Sequence, residues 1–461
     1  MKQIFLLFNI FFSTVLLSQT ILTSYPLSLT KNSEANTILT AENEVTHDVF
    51  AFIRSAENFK ILRYNSALFL TDEMSVSNKY TEDRTLTGFS FSDDGNPTLY
   101  WSSQRGESII IIKYYFEDKS SKALQFSFPS TLQTIRAEYQ NNNSFNLLAQ
   151  DVSEPKLILY VFKNGAAEQK IFDFSPFVFR DKKTQQETFS QILRDNQIEK
   201  MDMGEYNPLY KVSSKTKIYP LKDRIILTLD HNPRKTQLFD INLATLDIQE
   251  KNYTQPASEK AVKSSNSFYQ DNTLFQVSAN QNEFLFDIKN LTSGETVKSM
   301  RVSKKDTIRF KNSPLLYQKD NAKPKELKNT ARFLQQLAVS NIGLSVFKNK
   351  KNLYITIGGI NEYYNTWSYN SADEFGNFYP DIDGGNVHSE SVFFESILNK
   401  KFETTTELQQ PLAKDKIYYF IDNHEEVNFE SILKFKNYYI LSYYDSLAKQ
   451  YVMRKFIDGY N

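Results

Sequence analysis

Aromatic and acidic residues that could bind a ligand are concentrated in one polar stretch, residues 358–390. The candidates are Tyr363, Tyr364, Trp367, Tyr369, Asp381 and Asp383. Aromatic faces stack on sugars and peptides, and carboxylates accept hydrogen bonds from them. Irregular segments of this length are uncommon in compact domains and often have a function. The stretch therefore predicts a ligand-binding loop.

Metal binding is a weaker interpretation of the same stretch. Asp381 and Asp383 precede Gly384 and Gly385, and hard cations such as calcium take carboxylate oxygens. The spacing departs from an EF-hand loop, which has a further oxygen ligand before its glycine and a distant Glu. The four histidines are far apart in the chain, and none has the H-E-x-x-H spacing. We therefore predict no metal site, with calcium at the two aspartates as the alternative.

Sequence motifs for catalysis are missing. The chain has no Gly-x-Ser-x-Gly elbow and no phosphate-binding glycine loop. Paired carboxylates for glycoside hydrolysis converge only in three dimensions, so the 54 Asp and Glu residues cannot be sorted by sequence. We predict no catalytic residue and no cofactor, which favours a non-enzyme.

Short apolar runs separated by polar turn clusters organise most of the chain. One group of four comprises residues 87–91, 98–101, 108–116 and 123–128, and the last comprises 417–421, 431–435, 438–444 and 450–457. Four antiparallel strands in about 40 residues are typical of propeller blades, which bury their faces by stacking around an axis. The 37 Phe and 27 Tyr residues favour strands and are interpreted as core, with sugar platforms as the alternative. The prediction is an all-β propeller of about seven four-stranded blades.

One segment carries a family resemblance. Residues 91–100 read Phe-Ser-Asp-Asp-Gly-Asn-Pro-Thr-Leu-Tyr, which resembles the strand-turn-strand signature of bacterial propeller repeats of the WD40-like class. In its general pattern, and not in a diagnostic motif, most of the chain is similar to uncharacterised exported β-propeller proteins of Bacteroidetes-type bacteria. The resemblance implies a propeller fold and an envelope location, and it transfers no catalytic residue.

Three insertions interrupt the predicted propeller domain of residues 48–461, at about 180–206, 304–340 and 358–390. Residues 188–198 have apolar side chains near helical spacing. Residues 326–340 place Leu327, Ala331, Leu334, Leu337 and Ala338 on one helical stripe, which predicts a short surface helix. Such a helix covers a sheet edge more often than it binds a membrane or partner. Residues 19–47 form an extension that could close the ring.

The first 18 residues have the pattern of a signal peptide. Lys2 precedes an apolar run over residues 4–17, and cleavage is predicted between Ser18 and Gln19. The run is too short to span a bilayer comfortably, so we expect no transmembrane segment after cleavage. The chain has no cysteine, which excludes disulfides and a lipoprotein anchor. These features predict the periplasm or cell surface of a bacterium.

Charge limits the partners. Lys and Arg together number 54, equal to Asp and Glu, so there is no basic footprint for nucleic acid. The predicted function is an exported, non-catalytic binding or scaffold module of the bacterial envelope, with a protein or glycan as partner. The alternative is a propeller glycoside hydrolase or lyase acting on polysaccharide through paired carboxylates. An enzyme should show clustered carboxylates with raised pKa values at a channel mouth.

Overall fold

The fold is described from a computed structural model, over residues 19–29, 36–56, 58–81, 83–103, 108–128, 133–258, 262, 264–320, 322–365, 369–372, 378–381 and 386–460. The predicted signal peptide, residues 1–18, lies outside these ranges. Within them, none of the helices has the length and apolar character needed to cross a membrane.

The first three blades follow an N-terminal strand, β1 (Gln19–Pro26). Each blade is a four-stranded antiparallel meander. Their strands are β2 (Thr37–Glu42), β3 (Val49–Arg54), β4 (Asn58–Tyr64) and β5 (Leu70–Ser77) in blade 1, β6 (Arg84–Phe91), β7 (Pro97–Ser103), β8 (Ser108–Tyr115) and β9 (Ser120–Ser127) in blade 2, and β10 (Gln133–Asn141), β11 (Ser144–Asp151), β12 (Lys156–Lys163) and β13 (Ala166–Asp173) in blade 3.

Blades 4 and 5 follow a hairpin and a helix. These connecting elements are β14 (Phe179–Arg180), β15 (Gln186–Glu187) and α1 (Phe189–Asp195). The elements of blade 4 are β16 (Ile198–Lys200), α2 (Leu209–Val212), β17 (Thr216–Pro220), β18 (Arg224–Leu229), β19 (Lys235–Asn242) and β20 (Ile248–Thr254). The strands of blade 5 are β21 (Ser264–Gln270), β22 (Thr273–Ala279), β23 (Glu283–Asn290) and β24 (Thr296–Ser303).

Blades 6 and 7 complete the set. The elements of blade 6 are β25 (Leu316–Lys319), β26 (Lys325–Glu326), α3 (Thr330–Leu337), β27 (Asn341–Lys348), β28 (Asn352–Asn365), the hairpin strands β29 (Tyr369–Ala372) and β30 (Phe378–Asp381), and β31 (Asn386–Asn399). Helix α4 (Ala413–Asp422) follows, and blade 7 contains β32 (Val427–Phe435), β33 (Tyr438–Asp445) and β34 (Gln450–Phe456). Blade 6 has the order β26-β25-β31-β28-β27, so its outer strands precede its inner strand in the chain.

Burial distinguishes the inner from the outer edge of each blade. The fourth strands are mostly exposed, and no residue of β9 is buried. The first strands instead contact the first strands of neighbouring blades, as β2 does with β32, β6 with β10 and β21 with β27. The first strands therefore line the central axis, and the polar fourth strands face outward.

Every seam between blades contains an aromatic pair. The ring centroids lie 4.0–6.5 Å apart. Six of the seven pairs fall within the range of about 4.5–7 Å that is favourable for aromatic contacts, and Tyr354–Tyr460 is closer. In order around the ring the pairs are Phe59–Trp101, Tyr100–Phe145, Phe174–Phe239, Tyr219–Phe268, Phe284–Phe394, Tyr354–Tyr460 and Tyr64–Tyr451. The aromatic residues thus supply the stacking surface, and the predicted seven-bladed propeller is confirmed.

The N-terminal strand closes the ring. β1 pairs antiparallel with β34, from Gln19 opposite Phe456 to Pro26 opposite Gln450, and becomes the outer strand of blade 7. The Tyr25 hydroxyl donates to Glu73 Oε2 at 2.7 Å, which ties this strand to blade 1 as well. Both chain ends therefore contribute to one sheet.

The two helices expected from periodicity are present, and one further helix replaces a predicted strand. Residues 188–198 contain α1, which Thr188 caps. Residues 326–340 contain α3, which is shorter than the predicted range. The predicted strand at 417–421 is wrong, because these residues lie in α4. Ala413, Ile417 and Phe420 recur at helical spacing, and this stripe is buried against β33 and β34.

Residues 198–214, here called the channel insert, lie inside the ring. β16 adds in parallel to the inner edge of β17 in blade 4. Asn266 Nδ2 on the first strand of blade 5 donates to the carbonyls of Val212 and Ile342 at 3.1 and 2.7 Å. Lys434 Nζ on the first strand of blade 7 donates to the carbonyl of Gly204. The channel insert therefore occupies the channel along blades 4 to 7.

A buried ion pair fixes the end of the channel insert. Lys217 and Asp230 are both fully buried, and Lys217 Nζ lies 3.2 Å from Asp230 Oδ2. Lys217 also donates to Asn266 Oδ1 and the Ser214 carbonyl, each at 2.6 Å, while Ser267 Oγ donates to Asp230 at 2.8 Å. Burial lowers the pKa of Lys217. Both charges are satisfied by hydrogen bonds, as a buried pair requires.

Candidate functional site

The stretch predicted as a loop, residues 358–390, consists largely of strands that continue out of blade 6. β28 and β31 pair at every position from Asn352–Asn399 to Asn365–Asn386. The neighbouring strands stop earlier: β27 pairs only as far as Ile360, and β25 only as far as Glu390. Residues 361–365 and 386–389 therefore form a two-stranded ribbon that leaves the blade for about 17 Å, at about 3.3 Å per residue. Residues 361–389 are called the blade-6 arm.

The blade-6 arm carries the predicted ligand-binding residues. Tyr363 lies opposite His388 in the ribbon, and Tyr364 lies opposite Val387. Tyr369 lies opposite Asp381 in the short hairpin of β29 and β30. Trp367 and Asp383 lie outside the described residues. The backbone thus places four of the six candidates on two hairpin segments, and ligand binding by them stays a prediction.

The base of the blade-6 arm is fixed by one aspartate. Asp320, directly after β25, accepts the Ser389 N–H at 2.7 Å, and its Oδ2 lies 3.0 Å from His388 Nδ1. The Asp320 N–H in turn donates to the Ser389 carbonyl at 2.7 Å. The Ser389 backbone and then His388 hold the pKa of Asp320 below its usual value. His388 therefore has a structural partner at the point where the ribbon leaves the blade.

A second candidate, which sequence motifs did not indicate, is a pair of acids between blade 6 and α4. Glu395 on β31 and Asp415 in the first turn of α4 line a cavity of about 100 Å³ with Tyr206, Tyr354 and Tyr460. Burial, reinforced by Asp415, raises the pKa of Glu395 to about 7. Burial also raises the pKa of Asp415, which accepts the Leu412 N–H at 2.8 Å as a helix cap.

The acid pair has the electrostatics of a catalytic pair without the space for a saccharide. Raised carboxyl pKa values allow proton donation near neutral pH. Ligand cavities usually measure about 300–1,000 Å³, whereas this one could hold a few water molecules. The described residues also contain no group of three or more His, Asp or Glu side chains arranged to hold a metal ion. The geometry supports a pair of carboxyl groups, Glu395 and Asp415, that can take up a proton between blade 6 and α4.

Three of the solved structures that are similar to this chain have low sequence identity to it. The WD40 domain of SCAP from fission yeast is 9% identical, with 96% of this chain and 90% of that chain covered and a TM-score of 0.32. An uncharacterized protein from Listeria monocytogenes EGD-e is 10% identical, with 94% and 98% covered and a TM-score of 0.29. An oligogalacturonate lyase in complex with manganese is 8% identical, with 96% and 98% covered and a TM-score of 0.35.

No protein-family model matches the sequence, and no curated protein matches it. A β-propeller framework is compatible with a binding or scaffold role and also with enzymes, so function depends on the sites of this chain.

Proposed function

We propose that the protein is an exported, non-catalytic binding module of the bacterial envelope that contacts a glycan, peptide or protein through the blade-6 arm. The ribbon that leaves blade 6 at Asn361–Glu390 carries this proposal. Hairpin residues outside the sheet are not needed to complete the blade, yet this segment is rich in Tyr and Asp. Tyr and Trp supply large contact areas at low entropic cost in binding surfaces.

The envelope location is part of the proposal. Residues 1–18 have the export pattern, and the chain resembles exported propeller proteins of Bacteroidetes-type bacteria. The predicted cleavage after Ser18 leaves Gln19 as the first residue, which is also the first residue of β1. Export would therefore leave the closing strand whole.

The arm is tested by removing its aromatic side chains from the chain that starts at Gln19. Tyr363→Ala/Tyr364→Ala should reduce binding on glycan and peptide arrays at least tenfold, because stacking residues at a binding centre typically contribute 2 kcal/mol or more, roughly. The matched control is Tyr80→Ala/Tyr419→Ala, which removes two tyrosines that are 51% and 70% exposed elsewhere. Equal binding by the arm variant and the wild type, or equal loss in both variants, would contradict the proposal.

The enzyme alternative has one observation in its favour, the raised pKa values of Glu395 and Asp415. If this pair were catalytic, release of reducing or unsaturated ends from a panel of polysaccharides would be abolished in both Glu395→Gln and Asp415→Asn. Activity that survives both substitutions would exclude the pair, and a wild type inactive on the whole panel would leave the binding role as the better explanation.

A further inference from the structure

The channel insert fills the channel unevenly and leaves a chamber along blades 1 to 3. This chamber measures about 750 Å³. It is lined by the first strands of blades 1 and 2, by Arg54 at the end of β3, by Asp83 directly before β6, and by Gln140 on the first strand of blade 3. The volume is that of an ordinary ligand cavity. Its lining residues include Thr37, Leu39, Arg54, Asp83, Arg84, Thr85, Leu86 and Phe89.

The first arginine of the chamber is held in one position. Arg54 Nη1 donates to the Arg84 carbonyl at 3.0 Å, and Nη2 donates to the Thr81 carbonyl at 2.6 Å. Its guanidinium carbon lies 5.4 Å from the ring centre of Trp101, which is fully buried. Contacts on both the edge and the face of the guanidinium restrict its motion, so little entropy would be lost when a ligand binds.

The second arginine has hydrogen-bonding capacity to spare. Arg84 Nη1 donates to the Trp101 carbonyl at 3.5 Å. Within the part of the chain that the structure describes, neither Arg84 nor Arg54 forms an ion pair. Two guanidinium groups thus share one chamber wall, and a guanidinium presents parallel N–H donors that match a carboxylate.

We propose that this chamber binds a saccharide of one or two rings that carries a carboxylate. Arg84, backed by Arg54, would hold the carboxylate, and the half-buried Leu39 and Phe89 offer an apolar surface to a sugar ring. Asp83 also lines the chamber, and it can accept hydrogen bonds from the hydroxyls that a sugar ring presents. The site goes beyond the proposed function, because it lies in the channel and uses no residue of the blade-6 arm.

Calorimetric titration of the chain that starts at Gln19 tests the site with digalacturonate and, as the neutral probe, digalactose of the same linkage. The wild type should bind the acidic sugar at least tenfold more tightly than the neutral one. Arg84→Gln should lose at least tenfold in affinity for digalacturonate. Arg194→Gln, which removes an exposed arginine that forms an ion pair with its neighbour Asp195, should bind like the wild type. The arm variant Tyr363→Ala/Tyr364→Ala should also bind like the wild type, so the two sites can fail separately.

Several results would overturn the proposal: no binding of digalacturonate, equal affinity for both sugars, unchanged affinity in Arg84→Gln, or tighter binding of a triglutamate peptide than of digalacturonate. Circular dichroism of each variant checks that it folds. If Arg84→Gln does not fold, Arg84→Lys keeps the charge without the paired donors, and it should still weaken digalacturonate binding several-fold. Wild-type affinity in a folded Arg84→Lys would then count against bidentate recognition.

Discussion

Buried charges at two places in the molecule differ in how they are compensated. Lys217 and Asp230 contact each other. Lys217 also donates hydrogen bonds to neighbouring oxygen atoms, and Asp230 accepts them from neighbouring donors. Glu395 instead faces another acid, Asp415, in a small cavity. Because a buried ion pair rarely adds stability over apolar residues, we interpret the first arrangement as fixing where the channel insert sits. For the second arrangement, we expect stability at one seam of the ring to depend on pH.

The sensitivity at Glu395 has a definite sign. Its pKa is raised to about 7 in the folded protein, against about 4.3 when unfolded. Between these values the folded state binds more protons than the unfolded state, so stability falls as the pH rises through this window. Glu395→Gln keeps the neutral form, and it should therefore be more stable than the wild type at pH 8, by on the order of 2 kcal/mol, and similar to it near pH 4.

Urea unfolding at pH 4, 6 and 8 measures this effect. Glu425→Gln removes an exposed carboxylate and provides the control, because it should follow the wild type at every pH. A Glu395→Gln variant whose stability changes with pH as steeply as that of the wild type would show that Glu395 is not the source of the pH dependence.

At the scale of elements, closure of the ring depends on β1. Its backbone completes blade 7, and its Tyr25 reaches blade 1, where Lys60 Nζ donates to the Tyr25 hydroxyl at 3.1 Å. Deletion of Gln19–Pro26 exposes the edge of β34, and unpaired edges promote association between chains. The truncated chain should unfold at a temperature at least several degrees lower and form oligomers. Calorimetry and size-exclusion chromatography measure the two effects.

A synthetic peptide with the sequence of Gln19–Pro26 should restore part of the lost stability, because backbone hydrogen bonds provide most of the pairing. The substitutions Thr20→Val/Ser24→Val, which keep the strand, are the control and should leave the unfolding temperature nearly unchanged. A truncated chain as stable as the full one would show that closure does not need this strand.

Elements with a clear pattern could be predicted from the sequence, and those shaped by their neighbours could not. The seven blades and the helices α1 and α3 follow from strand-length runs and from helical stripes. The strand predicted for residues 417–421 is wrong, because a five-residue apolar run fits either a strand or a helix until Ala413 is included in the stripe. The sequence predicts a loop for the blade-6 arm, because its strands are polar and so lack the alternation that a buried face imposes.

The candidate sites divide in the same way. The aromatic residues of the blade-6 arm are close together in sequence, so composition alone indicates them. Glu395 and Asp415 come from a strand and a helix, and Arg54 and Arg84 come from different blades. Only the stacking of blades brings such residues together, and no local spacing encodes it.

At the scale of the whole molecule, each blade depends on two neighbours. An open array of repeats unfolds in parts, because each repeat contacts only adjacent ones and the ends can fray. In this ring the aromatic pair Tyr64–Tyr451 joins the last blade to the first, and the channel insert contacts blades 4 to 7 from inside. The ring has no free end, so we expect its blades to unfold together.

Cooperativity can be measured with Trp101, which is buried in the seam of blades 1 and 2. The chain has two tryptophans, so Trp367→Phe leaves Trp101 as the only one. In urea, the fluorescence of Trp101 and the circular dichroism of the whole chain should then give the same midpoint, as a single transition requires. In the same variant without Gln19–Pro26 the two midpoints should separate by about 0.5 M or more, since opening the ring frees blades 1 and 7 to unfold first. Separate midpoints in the closed ring would show that the blades unfold independently and that closure does not couple them.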